Sequence, residues 1–303
     1  MDDELRAAAF AWVREQSAVH GGVLPRSVLA EGVQFQGERI TFVGPAGIWK
    51  PRRFELPLSI TSVWNGPYDD GFTPEGLLSY RYRATAPDHR DNVGLREAMR
   101  TRTPLVYFHA VMEGRYVAVL PVFILSDNTA AQSFTVAIDP AYALEGGTSL
   151  LETAAAAQGP ESILGIQRYV AAYTKRRLHQ ASFRERVVEA YSGTCALCRL
   201  RHRELLDGAH IIPDASPGGE PVVSNGLCLC KIHHAAYDQN IIAVSPDYTV
   251  QVRTDVLEEI DGPMLRHGLQ GLHNGRILVP RKISDRPDRD RLAWRYEQFR
   301  KAV

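Results

Sequence analysis

An α+β chain with a β-rich first half and a metal-centred second half is what this sequence predicts, and three observations predict it. From Gly32 to Ile138 the apolar residues fall in short β-rich runs punctuated by Gly and Pro, the spacing of a sandwich or barrel. From Ile163 to Tyr191, and again from Asp288 to Arg300, apolar residues recur at helical spacing. All four cysteines fall between residues 195 and 230.

At 303 residues the chain exceeds the usual size of one domain, so two are expected. A composition 45% hydrophobic and 23% charged is that of a globular chain with a real core. No apolar run approaches the ~20 residues needed to span a bilayer. The start, Met1 to Arg14, mixes Asp2, Asp3, Glu4 and Arg6 with Ala and Phe, unlike a secretory signal. These features exclude a membrane partner and point to the cytoplasm. Lys and Arg total 35, as do Asp and Glu, so any attraction to nucleic acid must be local. Between Arg168 and Arg203 nine basic residues face two acids, Glu185 and Glu189. Such a cluster is either a phosphate-binding surface or a solvated helix face.

The elements follow in order. Leu5, Phe10, Trp12 and Val13 among Ala and charges make an amphipathic opening helix. Strands are expected at 39–43, 105–110, 116–120, 122–125 and 134–138, with a helix at about 95–101 between the first two. Residues 143–160, rich in Ala, Gly, Ser and Thr, form the linker region, in which 150–157 could be a short helix. Ile166, Tyr169, Val170 and Tyr173 then place one or two helices over 163–191, and Leu292, Trp294, Tyr296 and Phe299 a helix near the end. The domains are thus 1–145, a linker at 146–165, and 166–303.

Cys195-Ala196-Leu197-Cys198 is a C-x-x-C pair and Cys230-Lys231-Ile232-His233 a C-x-x-H pair. Two such turns let four soft or borderline ligands converge on a tetrahedral structural Zn²⁺. A redox C-x-x-C or buried thiols are the alternatives, and Cys228 suits the core better than ligation.

Between and after these half-sites stand Ala209-His210-Ile211-Ile212-Pro213, Asn225-Gly226-Leu227-Cys228-Leu229-Cys230 and His233-His234-Ala235-Ala236-Tyr237-Asp238. This ordered set resembles the restriction-type branch of the HNH endonucleases, whose ββα-metal fold joins a hairpin and a helix around one divalent ion. The resemblance implies a C-terminal ββα-metal domain with His210 as general base, Asn225 bracing its loop, and His234 holding the catalytic ion. A neutral histidine, ordinarily titrating near 6.5, suits proton abstraction from water. Phosphodiester hydrolysis also needs positive charge at the phosphate, which Mg²⁺, Mn²⁺ or another divalent ion supplies. Asp238, four residues beyond His234 on one helix face, could add an oxygen ligand. Many HNH proteins carry Asp immediately before the base; here that residue is Ala209, so the ligand must come from elsewhere, with Asp207, on the same strand face, as a runner-up. The C-x-x-H spacing gives His233 to zinc and His234 to catalysis, although the two could be exchanged.

In the first half, Trp64-Asn65-Gly66-Pro67-Tyr68-Asp69-Asp70-Gly71 precedes Leu78-Ser79-Tyr80-Arg81-Tyr82 and Asp88-His89-Arg90-Asp91-Asn92. Pro104-Leu105-Val106-Tyr107-Phe108 and Gly114-Arg115-Tyr116-Val117 complete an order, over roughly residues 60–120, similar to the SRA domains. These are PUA-like β-barrels that flip a modified cytosine out of duplex DNA. A flipped pyrimidine needs aromatic faces and a carboxylate to accept from its exocyclic amine. Tyr68 and Tyr80 would be the faces and Asp70 the acceptor, with Asp69 as alternative. The same residues could equally be a turn and the packing of a barrel. Arg81, Arg83, Arg90, Arg96, Arg100 and Arg102 would contact phosphates, or mark a wet strand face.

Together the resemblances imply a modification-dependent restriction endonuclease, possessing an SRA-like barrel with flanking helices and an HNH domain. Its substrate would be double-stranded DNA carrying 5-methyl- or 5-hydroxymethylcytosine, and a homodimer would place two active sites for both strands. An HNH nuclease with a different DNA specificity, and a non-catalytic zinc-stabilised DNA-binding protein, are the alternatives.

Overall fold

The computed structural model describes residues 2–64, 73, 77–83, 86–139 and 160–302, with the backbone alone for 160–167. It divides into two compact units, Met1–Ala181 and Ser182–Val303. No helix among the described residues is long and apolar enough to cross a membrane.

The first unit opens on helix α1 (Asp2–Val19), strand β1 (Leu24–Pro25) and α2 (Arg26–Glu31). Five short strands follow: β2 (Val33–Phe35), β3 (Glu38–Ile40), β4 (Ile48–Trp49), β5 (Ser59–Thr61) and β6 (Leu78–Arg81). After α3 (Arg90–Thr101) come β7 (Leu105–Met112), β8 (Arg115–Asn128) and β9 (Ser133–Ile138). One sheet orders them β4-β5-β7-β8-β9-β6, with β1 also pairing β8; β5 and β7 run parallel.

Where the sequence reads two strands either side of Pro121, the structure has one, β8. Proline cannot donate to a ladder and is tolerated where pairing is irregular. The β7–β8 register jumps between Leu105↔Val122 and Tyr107↔Val119, so Leu120 and Pro121 sit at that irregularity. The sheet is buried on both faces, which is why β7 reads as a continuous apolar run. Val106 and Phe108 pack with Phe10 and Val13 of α1, whereas Leu105 and Tyr107 pack with Leu95 of α3.

The sheet curls. Tyr80 of β6, at one end of the strand order, brings its hydroxyl 3.4 Å from the carbonyl of Thr61 on β5, next to the other end. A Cβ at Gly47, just before β4, would meet the same hydroxyl at 2.8 Å. The described strands therefore make a curled half-barrel, with β4 and β6 ending the ladder.

Helix α4 (Pro160–Ala190) carries the division between the units: Val170 and Leu178 join the core of the first, and Phe183 and Val187 that of the second. The second unit adds β10 (Leu206–His210), β11 (Gly226–Cys230) and α5 (Lys231–Asp238), then β12 (Ile242–Val244) and β13 (Val250–Val252). Helices α6 (Thr254–Glu258), α7 (Pro263–Gly268) and α8 (Arg289–Lys301) complete it. β10 and β11 pair antiparallel, with Gly208 opposite Cys228 and His210 opposite Gly226. Two glycines let α4 lie against this hairpin. A Cβ on Gly226 would stand 2.5 Å from Cγ2 of Val187 and 3.0 Å from Cζ of Phe183, and one on Gly208 3.1 Å from Cα of Arg184.

Candidate functional site

Two tight turns bring four ligand-type side chains together. The Cys195–Cys198 turn is closed by the Arg199 N–H on the Cys195 carbonyl (3.1 Å) and the Cys195 N–H on the Leu200 carbonyl (2.9 Å). Cys230 ends β11 and caps α5, which places His233 within the first turn of the helix. The ligand atoms of Cys195, Cys198, Cys230 and His233 all lie within 4.8 Å of one another. Cys198 Sγ is 3.9 Å from Cys230 Sγ, and His233 Nδ1 is 3.2 Å from Cys230 Sγ and 3.6 Å from Cys195 Sγ. A tetrahedron with metal–sulfur bonds of about 2.3 Å has edges of about 3.8 Å, so the cluster fits a four-coordinate ion. His233 Nε2 lies 2.7 Å from the Gly268 carbonyl, a backbone partner that fixes the ring with Nδ1 turned inward.

The Cys195 thiol is pulled down to about 3, chiefly by the hydrogen bond from Cys230 and also by His233 and backbone N–H groups. Cys230 is pushed up by donating that bond. Cys228 stands apart in the core, pushed up to about 12 by burial.

The second group lies at the mouth of the hairpin and on α5. Asn225 is fully buried; its Oδ1 accepts the Ile212 N–H (2.9 Å), while Nδ2 donates to the carbonyls of Ile212 (3.0 Å) and Glu220 (3.1 Å). The loop leaving His210 is thereby tied to the residue preceding β11. His210 itself stacks on Phe183, ring centroids 3.9 Å apart and planes 18° from parallel. Burial pulls the His210 imidazole below its ordinary value against the opposing charge of Asp214. His234 and Asp238 are also near enough to act on it, the first lowering and the second raising it.

His234 has a carboxylate at each ring nitrogen: Asp207 Oδ2 is 3.4 Å from Nδ1, and Asp238 Oδ2 is 3.4 Å from Nε2. Asp207 raises His234 and is itself lowered by it. An imidazole between two carboxylates is a donor set of the kind divalent ions take in hydrolytic sites. Strand alternation puts Asp207 and Ala209 on one face of β10, the one turned to α5, and Gly208 on the other, against α4.

In the first unit, Tyr68, Asp69 and Asp70 lie outside the described residues. Tyr80 is buried in the core of the curled sheet, 5% exposed, so in this structure its ring faces belong to packing. Among the arginines expected at phosphates, Arg83 and Arg90 pair with Asp91, Arg96 with Asp127 and the Pro87 carbonyl, and Arg100 with Glu97.

Sequence reasoning missed four contributors. Phe183 and Arg184 belong to a helix whose apolar period was legible, but not the partner it would meet. Arg184 donates to the carbonyls of Leu206 (2.9 Å) and Arg203 (2.7 Å) and lies 3.5 Å from Asp207. Asp214 directly follows the quoted run that ends at Pro213 and could have been noticed as a charge beside His210. The Gly268 carbonyl carries no sequence signal.

One comparison with known proteins falls on this same region. Residues 195–245 match a family model described as HNH endonuclease. No curated protein matches the chain. Among solved structures, one described as "Modification dependent TagI restriction endonuclease" aligns with 17% sequence identity and a TM-score of 0.34, covering 84% of this chain and 85% of that one. The family match spans the Cys/His cluster, the hairpin mouth and α5. The chain thus carries an HNH endonuclease domain and is a nuclease, a phosphodiester hydrolase.

Proposed function

We propose that the protein is a modification-dependent restriction endonuclease of the cytoplasm, in which the first unit reads a modified cytosine in duplex DNA and the HNH domain cuts nearby. The observation that carries the nuclease half is the tie between Asn225 and Ile212 beside an imidazole, His210, that burial pulls below its ordinary value. In this reading His210 takes the proton from the attacking water. Asn225 holds the His210 loop, and His234 with Asp207 and Asp238 holds a divalent ion, Mg²⁺ or Mn²⁺ among the candidates. That ion supplies positive charge for the phosphate and the leaving oxygen. Cys195, Cys198, Cys230 and His233 hold a structural Zn²⁺ that locks the start of α5 to the hairpin.

The reading half rests on the SRA-like residue order of the first domain, residues 1–145 on the sequence boundary, joined through 146–165 to a nuclease domain at 166–303. Tyr68 and Asp70, with Asp69 and Tyr80 as further members, form the modified-base pocket. For Tyr80 this requires its ring to leave the core position described above. A reader tethered to a cutter gains selectivity through effective concentration, and a homodimer gives two cutting sites.

The experiment is cleavage of duplexes that differ only in one cytosine's substituent, unmodified, 5-methyl or 5-hydroxymethyl, with Mg²⁺, Mn²⁺ or EDTA. Ion-dependent cutting of modified duplex alone is expected, with the preference lost in Asp70→Ala. Equal cutting of all three duplexes removes the modified-base reading and leaves a nuclease of other specificity. No cutting with any ion removes the catalytic reading.

A further inference from the structure

The flat stack of Phe183 on His210 is unusual for its closeness. Aromatic pairs commonly sit with centroids ~4.5–7 Å apart, offset or edge-on; here the rings are 3.9 Å apart and 18° from parallel. We propose that Phe183 is a positioning residue for the His210 base, setting the plane of the imidazole and keeping it dry. The proposal rests on the reading of His210 as the base.

Three observations carry it. First, the ring has almost no freedom. Phe183 is 1% exposed, and its Cζ is wedged against Gly226, where even a Cβ would stand 3.0 Å away. Gly226 lies directly opposite His210 across the hairpin. The glycine that follows Asn225 is therefore what admits the ring to its place over the imidazole. Second, Nε2 of His210 is buried with no hydrogen-bond partner among the described residues. No hydrogen bond at that nitrogen sets the ring plane, and the face contact with Phe183 takes that part. With Nε2 shut away, Nδ1 is the nitrogen left to meet a water. Third, the next residue on the helix, Arg184, is bonded to the Leu206 carbonyl at the start of β10. One turn of α4 thus holds both ends of the strand that presents the base.

The charged groups around His210 do not replace this contact. Asp214 comes from the loop after β10, and His234 and Asp238 come from α5. Their charges oppose one another, and burial is the larger influence on the imidazole.

The test uses the full-length protein with its metals bound. In the wild type, the ring protons of His210, labelled with ¹³C-histidine, should resonate upfield from the ring current of Phe183 and show cross-relaxation to it. In Phe183→Leu and in Phe183→Met, whose unbranched chain reaches further, kcat should fall about 10- to 100-fold, a loss typical of a misplaced reacting group, with KM little changed. The acid limb of the kcat profile should move to higher pH, because a better-solvated imidazole protonates more easily. A folded variant with unaltered kcat and acid limb overturns the proposal. If neither variant folds, the wild-type spectrum decides it, and unshifted His210 protons are the contrary result. Wild-type cutting by His210→Ala would defeat the base reading instead, leaving the stacking geometry itself still measurable by the spectrum.

Discussion

Asn225 and Ile212 exchange two hydrogen bonds: the amide oxygen takes the Ile212 N–H at 2.9 Å, and the amide nitrogen gives to the Ile212 carbonyl at 3.0 Å. A third bond reaches the Glu220 carbonyl at 3.1 Å. This one buried side chain imitates a backbone strand partner and closes the loop that begins at His210.

Asn225→Ala leaves one donor and two acceptors without partners in a buried place. At about 1 kcal/mol for each lost bond, denaturant unfolding of the second unit should show a loss of about 3 kcal/mol. Cleavage should fall more than KM changes, since the loop and not a substrate contact is lost. Asn225→Asp should do no better, because it sets a carboxylate against the carbonyls of Ile212 and Glu220. Wild-type stability in Asn225→Ala would mean the loop is held by something else.

Removal of the ion from the Cys/His cluster should destabilise the second unit, because the cluster joins the Cys195–Cys198 turn, the end of β11 and the start of α5. Elemental analysis should find one zinc per chain in addition to any catalytic ion, and none at this cluster in Cys195→Ala. Melting of the chelated protein should occur at a lower temperature than that of the loaded one. Identical melting curves with and without chelator would show that the cluster is a set of buried thiols.

His109 on β7 gives the first unit a pH dependence of its own. Burial, helped by the charge of His179, pulls its imidazole down to about 4, and Nδ1 lies 2.9 Å from the Tyr107 hydroxyl. In the unfolded chain the group titrates near 6.5. The folded pKa is the lower one, so this contribution is complete above about pH 6.5 and is lost as pH falls towards 4. At most about 3 kcal/mol is involved, from ~1.36 kcal/mol for each pH unit of difference. Urea titrations between pH 4 and 7 should show that slope in the wild type and a flatter one in His109→Gln; equal slopes would assign the loss to other groups.

How much of this was legible in the sequence depends on range. The C-x-x-C and C-x-x-H turns are local, and spacing alone brings their ligands together once two strands pair. The opening and closing helices follow from periodicity, observed at Asp2–Val19 and Arg289–Lys301. Pro121 misled the reading of β8, because a proline marks a strand break unless a register irregularity absorbs it. The β12–β13 hairpin was missed although its signal was present: Ile241-Ile242-Ala243-Val244 and Val250-Gln251-Val252 flank the turn-forming Ser245-Pro246-Asp247-Tyr248. Tyr80 and Phe183 mark the limit of sequence reading. Which face of Tyr80 is wet depends on how far the sheet curls, and what Phe183 meets depends on two glycines more than twenty residues away.

In the proposed mechanism His210 removes the proton from the water that attacks the phosphodiester. Single-turnover cleavage of a modified duplex by His210→Ala, in saturating Mg²⁺ or Mn²⁺ and alongside a DNA-binding titration, tests it most directly. A loss of about 100- to 10,000-fold is expected, the usual weight of a general base, with binding and melting temperature unchanged. Cleavage at the wild-type rate would contradict it.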